Sequence, residues 1–178
     1  MTSNLEKELA KHPGVRALTR NVTLAENGFF LLSVTDPLYT PVVLDILRTE
    51  VPKETEKALD INIYIPKIDQ NYTTMGETER TEKISKPYWQ WLDNIQNKRE
   101  DDIEQSRLFV VDGSQITSNY RTILVDHFAL MNSTRDKVVG NPRGPVLVVI
   151  PALLNIDRDI SIYSDLMSCC SGRFSISL

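Results

Sequence analysis

Read for its alternation of apolar and polar positions, the chain divides into short blocks punctuated by proline and glycine. The strongest block is Val146-Leu147-Val148-Val149-Ile150, five apolar residues in succession between Pro145 and Pro151. It is too short for an ordinary helix and has no polar face, so it predicts a strand buried on both sides. Phe29-Phe30-Leu31-Leu32, within 28–34, predicts a second strand of this kind. Leu108-Phe109-Val110-Val111, within 107–113, predicts a third that closes on an Asp-Gly turn. Along 60–66, Ile61, Ile63 and Ile65 alternate with Asp60, Asn62 and Tyr64, the period of a strand with one wet face. Residues 120–128 also alternate, and Phe174, Ile176 and Leu178 alternate with serines, which suits a terminal edge strand.

Between these blocks the spacing turns helical. Ser3 and Glu6 form a capping box, and Leu5 and Leu9 share a face until His12-Pro13-Gly14 ends the helix. Thr40-Pro41 reads as an N-cap and first helical position, followed by Val43, Ile46 and Leu47 up to Val51-Pro52, with a second short segment over 52–59. Tyr88, Trp91, Leu92 and Ile95 continue a stripe from Ile84 and predict the longest helix, starting at Ser85. A short helix is expected over 157–167, and long polar connections over 67–81 and 132–143. The succession predicts an α/β or α+β fold, a single layered domain with a mixed sheet of about five or six strands and about three or four flanking helices. That domain spans 14–178, and residues 1–13 form a helical arm.

Composition narrows the function more than it identifies it. The 178 residues are 41% hydrophobic and 25% charged, ordinary for a globular protein. The net charge of -4 argues against a general nucleic-acid binder, which carries a basic excess. No stretch is apolar enough to span a membrane and the first residues are no signal peptide, so a cytoplasmic or virion location is expected. The two cysteines, Cys169 and Cys170, are adjacent and read as a reduced pair.

Candidate chemistry is sparse. Among the seven glycines there is no G-x-x-x-x-G-K-[ST] loop and no G-x-G-x-x-G, so neither phosphate-cradling pattern is present, and no G-x-S-x-G elbow. The expectation is therefore a non-catalytic structural or interaction protein, without cofactor, that joins copies of itself or another protein, as in a viral particle or a similar repeating assembly. Its interaction residues are expected to be Trp89, Leu5, Leu9, Phe174 and Ile176. The alternative is a metal-dependent phosphoester hydrolase. Asp112 and Asp126 each close an apolar run, and with Asp60 they supply the oxygens that Mg²⁺ takes, while His127 serves as general base. Against it, Asp112-Gly113 is also simply a turn pair, and Asp126 and His127 point to opposite faces if they lie on a strand.

Overall fold

The apolar blocks pair side by side into one sheet. This computed structural model describes residues 3–25, 28–66, 74–80, 82–83, 86–97, 105–115, 144–152 and 171–178. Five strands, β1 (Phe29–Val34), β2 (Ala58–Tyr64), β3 (Gln105–Asp112), β4 (Val146–Pro151) and β5 (Gly172–Ile176), lie in the order β2-β3-β4-β1-β5. Every described pairing is parallel, where a mixed sheet was expected, and the fold is α/β. Parallel pairing demands long crossovers, and helices supply those that are described.

The strand predicted as the most buried occupies the centre. All six residues of β4 are buried, flanked by β1 and β3. Side chains of a strand alternate between faces. Leu108, Val110, Leu147, Val149 and Ile176 therefore meet one helical layer, formed by α1 (Asn4–Lys11), α2 (Pro13–Leu24) and α3 (Tyr39–Thr55). On the other face Phe109 meets Trp91 of α5 (Lys86–Asn97) at 6.0 Å, and Trp91 also stacks against Tyr64 of β2 at 5.4 Å.

Several local expectations change. His12-Pro13-Gly14 ends one helix and at once begins another. The His12 ring accepts from the Gly14 N–H at 2.9 Å, Pro13 fills a first-turn position that has no use for an N–H, and Val15, Leu18 and Val22 face the core. α3 starts at Tyr39 rather than at Pro41, and it runs through Pro52 as one helix of 17 residues. Pro52 forfeits one backbone bond there, but buried Val43, Leu47 and Val51 hold the helix on the sheet. Glu56, at φ 59°, then ends it in the left-handed conformation. The expected polar connection over 67–81 holds a helical turn, α4 (Glu77–Arg80), and the buried Met75. The strand expected at 120–128, the helix at 157–167, the Cys169-Cys170 pair, Asp126 and His127 lie outside the described residues.

The α1–α2 junction abuts β5. His12 Nε2 lies 3.2 Å from the Ser177 carbonyl, and a Cβ built on Gly14 would stand 2.5 Å from the Ser175 carbonyl oxygen. Glycine is what allows this approach.

Candidate ligand site at the carboxyl edge of the sheet

In open parallel sheets, ligands collect outside the carboxyl ends of the strands, where the strand order reverses. Here the reversal falls between β1 and β4: the chain leaves β1 for β2 at one side of the sheet, and leaves β4 for β5 at the other. The connection after β1 and the turn after β3 both reach this edge.

After β1 the chain tightens at once. Thr35 donates its N–H to the Ile176 carbonyl at 3.1 Å, and the Val34 carbonyl accepts from Ala152 at 2.7 Å, so β1 is pinned to its surroundings to its last residue. Asp36 Oδ1 then accepts from the Leu38 N–H at 2.9 Å. Tyr39 donates to the Asp36 carbonyl at 3.0 Å and Thr40 to the Pro37 carbonyl at 3.3 Å. Pro41 has no N–H. The free donors with which a helix N-terminus cradles an anion are thus used up by the chain itself. One polar atom is left over: the Thr40 hydroxyl is buried, the residue being 2% exposed, and it has no hydrogen-bond partner among the described residues. Buried side-chain polar atoms nearly always find a partner, so an orphan calls for an explanation.

After β3, Asp112 Oδ1 accepts from the Ser114 N–H at 3.0 Å and from its hydroxyl at 2.6 Å, while the Gly113 N–H donates to the Val149 carbonyl at 2.9 Å. The turn reading of Asp112-Gly113 therefore describes the local geometry, and the same turn fixes the carboxylate at the strand end.

Asp60 does not join it. It sits in β2 opposite Arg107 and accepts from Asn62 at 3.1 Å, whereas Asp112 lies five residues beyond Arg107 in β3. At the rise of a parallel strand that is roughly 16 Å, too far to share one cation. Among the described residues no three His, Cys, Asp or Glu side chains cluster as a metal site. Thr40 reads in the sequence only as a helix cap, and its burial inside the first turn of α3 shows up in three dimensions alone.

The residues expected to face a partner lie in this chain's own packing. Trp89 is 1% exposed and edges Tyr88 at 4.7 Å, while Leu9 and Ile176 are 0% and 1% exposed. Leu5 and Phe174 are half-buried against the same core. Among the described residues no helix is long and apolar enough to cross a membrane.

No family model matches this chain, nor does any curated protein. Among solved structures it is similar to Rhizobiales Trip13, with 15% identity and a TM-score of 0.45, over 98% of this chain and 59% of that one. It is also similar to ORC2 of Aeropyrum pernix in ADPNP-ADP complexes, with 9% identity and a TM-score of 0.41, over 96% and 46%. A third is RIF2 of Saccharomyces cerevisiae, with 10% identity and a TM-score of 0.42, over 98% and 59%. The chain thus spans less than two thirds of each of these three. The expectation of a non-catalytic assembly protein is corrected, because Trp89, Leu9 and Ile176, on which it relied for contacts, are spent in this chain's own core. Of the residues named for the phosphoester-hydrolase alternative, Asp60 stands apart from Asp112, and Asp126 and His127 lie outside the described residues.

Proposed function

We propose that this chain is a nucleotide-binding α/β domain, which takes a nucleoside di- or triphosphate with its Mg²⁺ at the carboxyl edge of the sheet. The observation that carries this reading is the orphaned Thr40 hydroxyl, buried in the first turn of α3 directly after β1. Asp112 ends β3 on the same edge, on the far side of β4. A hydroxyl and a carboxylate are the hard oxygen donors that Mg²⁺ accepts, and the ion keeps waters that bridge to donors too distant to touch it. The donor set therefore fits the cation. Phosphate recognition through peptide N–H groups has no support here, because the first-turn donors of α3 are already engaged. The ligand would be held through the cation and through side chains, which implies modest affinity.

Thermal melting tests this. Mg²⁺ with ADP should raise the melting temperature of the wild type by linkage, and Mg²⁺ alone should do less. Thr40→Val and Asp112→Asn should each remove the response. A wild type that ignores Mg²⁺-ADP at millimolar concentration, or a response unchanged in both variants, contradicts the reading.

A further inference from the structure

A second concave surface lies on the helical layer, toward the amino ends of the strands, and does not depend on the nucleotide reading. α2 and α3 both run antiparallel to the strands: α2 starts beside Ser175 of β5 and ends just before β1, and α3 starts after β1 and leads to β2. Between them is a cleft of about 480 Å³. Arg16 and Arg20 border it on α2, and Glu50 and Glu54 border it on α3. In each pair the residues are four apart, so each forms a row along its helix with a spacing of about one turn.

The floor between the rows is apolar. Ile46 is only 5% exposed, and the hydroxyls of Thr19 and Thr23 are turned back onto their own helix, onto the Val15 and Thr19 carbonyls at 2.8 Å each. At the end of the cleft Leu24 stands 77% exposed. The charged rows do not satisfy each other. Among the described residues Arg16, Arg20 and Glu54 have no ion-pair partner, and Glu50 pairs only with exposed Lys53, at 3.2 Å.

We infer that this cleft docks an amphipathic helix of a partner protein, with an apolar stripe against Ile46 and Leu24, an acidic row beside Arg16 and Arg20, and a basic row beside Glu50 and Glu54. Charge complementarity selects this occupant. A purely anionic ligand would meet the glutamates and a purely cationic one the arginines, whereas a helix with opposite charges on its two flanks meets both rows in register. A helix repeats its side chains at the one-turn spacing that both walls display.

The probe is a displayed library of helical peptides of roughly 18 residues, long enough to hold helical structure. Leucine is fixed along one stripe, and every flanking position is either Glu or Lys. Selection on the whole chain should enrich peptides with Glu on one flank and Lys on the other. By fluorescence anisotropy a selected peptide should lose at least about tenfold in affinity on Arg16→Glu/Arg20→Glu, and recover when its Glu row is changed to Lys. Glu50→Lys/Glu54→Lys gives the reciprocal test should the first pair fail to fold, which circular dichroism will reveal. Flanks selected without regard to sign, or affinities indifferent to both charge reversals, overturn the inference. So does a free protein that is dimeric until either reversal is made, because the cleft would then hold a second copy.

Discussion

At the scale of single residues, Thr40 couples stability to function. Val has nearly the shape of Thr and no hydroxyl to leave unpaired, so Thr40→Val should stabilise the free protein by about 1–3 kcal/mol while abolishing the Mg²⁺-ADP response. Urea denaturation reads the first effect, and a destabilised variant would mean that the hydroxyl has a structural partner. Gly14→Ala should move the other way. Alanine is the better helix former by about 1 kcal/mol, but its Cβ would stand 2.5 Å from the Ser175 carbonyl oxygen, so stability should fall. A gain in the urea midpoint would show that the α1–α2 junction yields at no cost.

Among the described residues Tyr64 carries a pH effect. It is packed between Tyr88 and Trp91, at ring distances of 5.8 and 5.4 Å, and burial pushes its phenol above the usual value of 10.0. Above that value the unfolded chain releases the proton and the folded chain keeps it. The folded state therefore binds more protons, and stability falls as pH rises from the unfolded value toward the folded one. Comparing urea midpoints at about pH 8 and about pH 11 in wild type and Tyr64→Phe isolates this contribution. The alkaline loss should shrink in the variant, and an equal loss in both would place its origin elsewhere.

At the scale of elements, the first helix is better described by its buried leucine than by its position in the chain. Leu9 is 0% exposed within the core that α1 shares with α3, so Leu9→Ala should cost about 2–5 kcal/mol in a single cooperative unfolding transition. A change below 0.5 kcal/mol would indicate a helix that detaches without consequence. The strands were legible because each carries its own signature: a continuous apolar run in β4 and β1, alternation in β2 and β5. The helices were legible where an apolar stripe was long, as in α5. α2 was not, since Pro13 and Gly14 read as a stop, and only the docking of Val15, Leu18 and Val22 shows that they also start the next helix. Pro52 misled in the same way, because tertiary packing carries α3 past a residue that would break an isolated helix.

At the scale of the whole molecule, strand order decides where a ligand can sit, and strand order is a non-local property that no single segment displays. Asp112 was singled out from its place at the end of an apolar run, and it does lie on the carboxyl edge. Asp60, chosen for its chemistry alone, lies far along a neighbouring strand. Trp89 and Leu9 are named as interaction residues, but a large apolar residue is as well suited to a core, and both are buried. The edge and the cleft between α2 and α3 are separate surfaces, so the two proposals stand or fall independently. The most direct measurement for the first is amide chemical-shift mapping on labelled protein titrated with Mg²⁺-ADP. Saturable shifts should concentrate at residues 35–42 and 112–115, with the amides of α2 undisturbed. Shifts confined to α2 and the second half of α3, or none at millimolar ligand, would contradict the nucleotide reading.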